Sequence, residues 1–535
     1  MKKATILVLL AVLLAPAVFA NGKQETKTPS VITPQAALPS NVRSIVVGIP
    51  EEFGDLSPFG GNSAGRNYVK YNLWETLAVY SAFGQTIDEM DLILAKDVQI
   101  INDVTSRITI YDYIYDSEGN HITANDVKWS YEQAAACGLF QKVTTNLKSI
   151  KVVDNYTVEL VLKKDAIGML EYMLSYVAIA SQKAYKSSPD KMSTKPVTTG
   201  PYKVIQAISG SKLVLQKNAD YWQKDPSKRA YIAKQPLDTI TFLVIKEPAQ
   251  MAIALETGAI DIASNIEPSE VSRFMNPDGT GKNGYQVSNS YGGMATMLNF
   301  NCSDASPLSN ELLRKAVCYA IDQKGIVEGA LRGHGTPIGT CASNVSSDYN
   351  PEWDVDYYNY NPQKAKELLA KAGYKPNELT LSIMIQQTAE FPMVAQLIQA
   401  YLADVGIKAT ILAYDNALFS QYRFQPDLFD MMISIMGTSD YVVSAWDLQF
   451  NGADTPKGAS ACFVKDLKLQ ELLDRAKGIH THNQKTVNAF ADYLEEKAYS
   501  YGLYVKSNYC VANSKVAKIV RHPFGHVIAG ACSYR

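Results

Sequence analysis

Apolar positions first concentrate at the start of the chain. Residues 4–19 form an uncharged run, mostly Leu, Val and Ala, behind Met1-Lys2-Lys3. The run falls short of the ~20 residues a membrane span needs. Val18-Phe19-Ala20 places small residues at the first and third positions of a signal-peptidase site. Residues 1–20 therefore read as a cleavable export signal. Residues 21–41 are polar and carry Pro29, Pro34 and Pro39, which reads as a disordered tether. From Ser44 onward, strand and helix periods alternate. The run SIVVGI at 44–49, closed by Pro50, predicts a buried strand, and residues 152–162 predict a hairpin with a polar turn. Residues 259–262 and 295–301 predict two more strands. Thr123 and Asp126 form a capping-box pattern ahead of a helix through Ala134. Pro248 opens a helix that Gly258 ends, and Asn361-Pro362 opens one that Gly373 ends. Residues 312–321 and 394–405 each present one apolar helical face. Residues 166–180, interrupted by Glu171, read as a core helix rather than a span.

Composition narrows the class. The chain has 535 residues, 47% hydrophobic and 19% charged. That is too apolar for a disordered chain and too polar for a polytopic membrane protein. At ~100–200 residues per domain, the length implies three domain-sized units. Lys+Arg total 51 against 53 Asp+Glu, for a net charge of −2, which argues against nucleic acid as the main partner. Tyrosine reaches 32 residues against 16 Phe and 5 Trp. A flat apolar face with one polar tip suits a binding cleft. Seven cysteines without a CxxC pattern disfavour a zinc knuckle, allow at most three disulfides and leave the pairing open.

Motifs of catalysis are absent from the sequence: there is no HExxH, GxSxG or DxDxDG. His480 and His482 are two apart and fall on different helical faces. His522 and His526 have helical spacing but Pro523 and Gly525 stand between them, and a third ligand is missing. Gly281-Lys282 lacks both the earlier glycine and the following Ser/Thr of a phosphate loop, with Asn276 and Asn283 at those positions. No catalytic residue, metal site or cofactor is assigned, and the chain is expected not to be an enzyme.

A set of ordered blocks resembles one family. Leu94-Ala95-Lys96-Asp97, then Thr123-Ala124-Asn125-Asp126-Val127, are followed by Thr199-Gly200-Pro201-Tyr202 and Asn218-Ala219-Asp220-Tyr221-Trp222. Leu255 to Asp261, Arg314-Lys315-Ala316 with Tyr319 to Asp322, Asn361 to Tyr374, and Gly406-Ile407-Lys408 continue the series. In this order they resemble the large extracytoplasmic solute-binding proteins of ABC importers, the oligopeptide, dipeptide and nickel-binding type known as family 5. The resemblance implies an α/β chain with the two-lobed periplasmic-binding-protein type II fold (class C) and a subdomain inserted in lobe one. It implies lobe one from 42–80, 196–293 and 504–535, the insertion at 81–195, and lobe two at 294–503. It implies a monomer without cofactors, periplasmic or extracellular, not lipid-anchored because the first cysteine is Cys137, that hands its solute to ABC permease subunits.

The resemblance also nominates ligand contacts. Gly437-Thr438-Ser439-Asp440-Tyr441 is similar to the segment whose Asp pairs with a peptide's terminal amine. Gly437 stands where Trp is common, and Val442-Val443 replaces an Asp-Pro. Where dipeptide binders carry an Arg, this chain has Gln386 and Gln387, which donate hydrogen bonds without charge pairing. Asn62 and Ser63 should line lobe one, Thr296 should face the cleft, and Trp446 could stack on a ligand. The solute class is expected to be an oligopeptide, with an oligosaccharide as the alternative. An exported hydrolase or a surface adhesin is the alternative of another class.

Overall fold

The computed structural model describes residues 43–60, 65–137, 140–290, 294–387, 390–437, 440–452 and 461–535. The export signal, the tether, and Asn62, Ser63 and Ser439 lie outside the described residues. Two large sheets, each covered by helices, form the two lobes of an α/β fold. The first has seven strands, in spatial order Gln286–Ser290, Asn508–Ala512, Ile262–Ile266, Ser44–Ile49, Thr239–Val244, Lys212–Lys217 and Tyr202–Ile208. Ser44–Ile49 sits at its centre, parallel to both neighbours, with Ile45, Val47 and Ile49 almost fully buried. A strand flanked on both faces carries little polar side chain, which is why SIVVGI reads as a continuous apolar run.

The second sheet has six strands, in order Gly335–Pro337, Ser500–Lys506, Ala295–Phe300, Met431–Met436, Thr380–Gln386 and Lys408–Tyr414. Every residue of Ala295–Phe300 is buried. The chain leaves the first sheet after Ser290 and joins the second at Ala295. It returns at Ser507, between Ser500–Lys506 and Asn508–Ala512. A separate four-stranded antiparallel sheet is built from Ala95–Asn102, Thr105–Ile110, Thr157–Leu162 and Leu147–Val152. Among the described residues, no helix is long and apolar enough to cross a membrane.

The local signals act as their chemistry dictates. Thr123 and Asp126 close a reciprocal capping box at the start of the helix Ala124–Ala136. Asn361 caps Pro362–Lys371 by accepting from the Lys364 N–H. The strand expected at 259–262 instead runs Ile262–Ile266. Gly258 has φ +74, a left-handed turn, and the Asp261 carboxylate accepts from the Val46 N–H (3.0 Å) and the Asn513 amide (3.0 Å). Asp261 thus bonds side chain to backbone before the ladder begins.

Candidate functional site

Asp440 lies at the end of the second sheet, four residues after Met436 and directly before the helix Val442–Phe450. Its backbone is pinned, because Ser347 donates from both its N–H (3.0 Å) and its hydroxyl (2.9 Å) to the Asp440 carbonyl. The following helix is capped by another acid. Asp348 accepts from the N–H groups of Val442 (2.5 Å) and Val443 (3.4 Å). The Asp440 side chain is 7% exposed. Its Oδ1 accepts the Gly84 N–H at 2.5 Å, from a segment 356 positions away. Its Oδ2 is buried and has no hydrogen-bond partner among the described residues. Burial pushes this carboxyl up to about 7, the Gly84 bond pulls it down, the nearby Glu171 and Asp348 push it further up, and Lys142 pulls it down by a smaller amount. A half-satisfied, desolvated carboxylate is a group arranged to receive a proton or a cation.

Tyr441 packs against Gly168, where an added Cβ would come within 2.6 Å of the ring. Gly168 has φ +68 and precedes the helix Met169–Tyr176. Both the left-handed turn and the close approach exclude a side chain there. The helix it launches carries Tyr172 and Tyr176, four apart on one face, stacked at 4.6 Å.

From this helix an aromatic and cationic ladder crosses the lobe. Lys142 Nζ lies 4.9 Å from the Tyr172 ring, and Lys70 Nζ lies 5.2 Å from Tyr176 and 4.9 Å from Tyr71. Tyr71 stacks on His522 at 4.4 Å, His522 meets Phe524 at 4.9 Å, and Phe524 meets Phe83 at 5.5 Å. Phe83 neighbours Gly84 in the chain, so the ladder ends beside Asp440. It walls a cavity of about 90 Å³ whose lining includes Arg66, Lys70, Tyr71, Tyr80, Tyr176 and His522. Tyr80 joins this cavity to Asp440: burial first, then the Asp440 and Glu171 charges, raise its phenol above the usual range.

The nominated residues fall differently. Asp440, Tyr441 and Gly437 are together, and a Cβ on Gly437 would meet nothing within 4 Å. Trp446 does not face a cleft. It is fully buried between Trp353 and Phe490, and its indole N–H donates to the Cys341 carbonyl (2.6 Å). The helix Val442–Phe450 turns Val442, Val443 and Trp446 inward together, so this Trp is core. Thr296 is 3% exposed on a strand whose two faces are both covered. Gln387 is exposed just past Thr380–Gln386, its N–H bonded to the Tyr414 carbonyl (2.8 Å). Gln386 donates to Asn416 at 3.2 Å.

Sequence reasoning missed Lys70, Arg66, Tyr71, Tyr80, Tyr176 and His522. One signal was available: Arg66 and Lys70 stand four apart on the helix Arg66–Leu73, just beyond the Gly60–Gly61 segment. Nothing local says that a second helix and the C-terminal segment close over them.

The chain is similar in sequence and fold to known proteins. The family model of the bacterial extracellular solute-binding proteins, family 5 Middle, matches residues 92–455. The sequence is 24% identical to heme-binding protein A of Haemophilus influenzae over 355 residues, which is 64% of this chain and 60% of that protein. The match therefore spans less than two thirds of that relative's length. It is 27% identical to the glutathione-binding protein GsiB of Salmonella typhi over 390 residues, 71% of each chain. Among solved structures, the periplasmic binding protein DppA from Helicobacter pylori, in complex with the peptide STSA, superposes with a TM-score of 0.72. That superposition covers 90% of this chain and 97% of the other at 22% identity, and shows the shared two-lobed fold.

Proposed function

The chain belongs to the bacterial extracellular solute-binding proteins of family 5, and we propose that it captures a peptide-like solute bearing a free ammonium group and delivers it to an ABC permease. In this reading residues 1–20 are removed on export. Lobe one is 42–80, 196–293 and the C-terminal segment, the insertion is 81–195, and lobe two begins at 294. The boundary expected between 503 and 504 moves to between 506 and 507, because Ser500–Lys506 pairs within the six-stranded sheet. The observation that carries the reading is the Asp440 carboxylate, with one oxygen on the Gly84 N–H and the other buried without a partner. An ammonium placed at Oδ2 would satisfy the acceptor and offset the repulsion from Glu171 and Asp348. Asp440 follows a strand of the six-stranded sheet, whereas Gly84 belongs to the 81–195 segment. A solute held there contacts both sides and favours the closed arrangement, as differential affinity requires. Glutathione and the peptide STSA, the ligands in two relatives' names, both carry an ammonium and a carboxylate. A neutral saccharide has no use for the buried charges of this site and is not favoured by the relatives compared above.

Titration calorimetry with glutathione and with the tetrapeptide STSA, each beside its N-acetylated form, tests the reading. A desolvated charge left unpaired costs about 3–5 kcal/mol, roughly a hundred- to a thousandfold in affinity or more. Asp440→Asn is expected to lose that much for the free-amine probes, and acetylation is expected to do the same to the wild type. Equal affinity of Asp440→Asn and wild type for every probe that binds removes Asp440 from the site.

A further inference from the structure

We propose that the cavity between the helices Arg66–Leu73 and Met169–Tyr176 and the C-terminal residues His522 and Phe524 is a carboxylate-binding subsite, with Lys70 as its charge partner and Arg66 and His522 as further donors. It rests on the Asp440 reading only for the orientation of the solute, ammonium at Asp440 and carboxylate at Lys70.

The lining carries two cations, Arg66 and Lys70, among aromatic and neutral polar side chains; Asp55 lies near Arg66 but does not line the cavity. Among the described residues that line the cavity, none is Asp or Glu. Lys70 Nζ is held over two rings, Tyr71 and Tyr176, and no carboxylate pairs with it among the described residues. A cation over aromatic faces retains part of its stabilisation but none of its hydrogen bonds. Arg66, one turn earlier on the same helix, adds a like charge, which disfavours Lys70 in the empty protein. Arg66 is oriented by the carbonyls of Ser57 (2.6 Å) and Pro58 (2.9 Å).

His522 completes the donor set. Its Nδ1 accepts the Phe524 N–H at 3.2 Å, so the neutral ring carries its proton on Nε2. Burial, then Lys70 and His526, keep this ring well below the usual histidine range, so it stays neutral and a donor. Tyr71 stacked at 4.4 Å fixes its plane. An anion of carboxylate size would meet an ammonium, a guanidinium and an imidazole N–H between apolar walls. Asn67, Thr76, Ser175 and the tyrosine hydroxyls also line the cavity and can accept as well as donate, so the charge on Lys70 is what would select an anion over a neutral group.

Burial first, then Arg66, brings the Lys70 amine down to about 7. The titratable and charged groups around it are Arg66 on its own helix, Tyr71 beside it, Tyr176 from the facing helix, and His522 and His526 from the C-terminal segment. A bound carboxylate restores the charged form, so binding above neutral pH takes up a proton.

The test uses the tetrapeptide STSA and its C-terminal amide, together with two amine-free pairs, butanoate with butanamide and 3-phenylpropanoate with 3-phenylpropanamide. Affinities are measured by calorimetry and ligand-observed NMR on wild type, Lys70→Met and Lys70→Arg. The free acids are expected to bind the wild type about ten- to a hundredfold more tightly than their amides, the range for one charge-assisted hydrogen bond. Lys70→Met should erase that difference and Lys70→Arg should keep most of it. The melting point of empty Lys70→Met should equal or exceed the wild type, because a partly buried cation with no paired carboxylate among the described residues is removed; a large drop would make Lys70 structural and overturn the subsite. Acid and amide binding alike, or Lys70→Met binding the acid as the wild type does, also overturns it. If the amine-free acids bind through Lys70 while the peptide binds nowhere, the subsite stands and the Asp440 reading falls. If the peptide binds through Asp440 while acid and amide are equal, the reverse holds. Binding of no probe at all overturns both.

Discussion

Two cations, Arg314 buried and Lys70 partly buried, receive opposite treatment. Arg314, packed behind the six-stranded sheet, is 4% exposed. It donates to the carbonyls of Leu308 (2.8 Å), Ser309 (2.9 Å), Lys497 (2.8 Å) and Ala498 (3.0 Å), and lies over the Tyr499 ring. Lys70, beside the seven-stranded sheet, has only rings. Two buried carboxylates repeat the contrast. Glu75 is 1% exposed, and accepts from the Tyr221 hydroxyl and from the Trp222 indole (2.8 Å), so both oxygens are used. Asp440 uses one. A charge that the fold fully satisfies is part of the architecture. Incompleteness alone does not mark a site, since the buried Glu495 also leaves one oxygen without a partner among the described residues; what sets Asp440 and Lys70 apart is the cavity and ladder beside them. The two incomplete groups flank a single aromatic ladder, and neither Arg314 nor Glu75 lines the cavity.

Removing a complete group should damage the fold. Arg314→Leu strands four carbonyls, two of them in fully buried bonds, and is expected to cost about 3–5 kcal/mol of stability, read as a lower denaturant midpoint at unchanged slope. A loss under about 1 kcal/mol would dissolve the contrast with Lys70. Glu75→Ala leaves the Tyr221 hydroxyl and the Trp222 N–H without acceptors and opens a small void. About 2–4 kcal/mol is expected, with no change in affinity for probes that bind through Asp440.

The smallest effect is a pH dependence of the empty protein. The Asp440 carboxyl is raised from 3.8 to about 7 in the folded chain. Between those values the folded state holds a proton that the unfolded state has lost. The stability this proton contributes is therefore present at low pH and is lost as pH rises through about 7. Wild type should match Asp440→Asn near pH 4 and fall behind it progressively up to pH 7, by roughly 1–3 kcal/mol, with a constant gap above that. Melting curves of the pair across pH 4 to 8 check this. A gap that is constant over the whole range would mean that Asp440 is ionised and paired even when empty.

Much of the local structure was written in the sequence. Ser44–Ile49 was readable from its unbroken apolar run, Ala124–Ala136 from its capping box, and Pro248–Glu256 and Pro362–Lys371 from proline at the start and glycine past the end. These signals rest on interactions within a few residues, so a one-dimensional pattern suffices. Asp440 was nominated through family resemblance, because a lone acid before a helix otherwise reads as a cap. In this chain the cap is Asp348, 94 residues earlier.

Side-chain direction was another matter. The sequence named Trp446 and Thr296 as ligand contacts; the structure packs Trp446 on Trp353 and Phe490 and places Thr296 on a strand covered on both faces. Parity along a strand gives no answer where both faces are covered, and an aromatic on an apolar helix serves the core as readily as a ligand. The sequence by itself determined the family, the class of fold and the places where helices begin and end. Only the tertiary structure decided which charges remain incomplete. Lys70, Tyr176 and His522 are separated by hundreds of positions but share one cavity. Whether a buried charge is satisfied depends on every group within hydrogen-bond reach, and that set exists only once distant segments have packed.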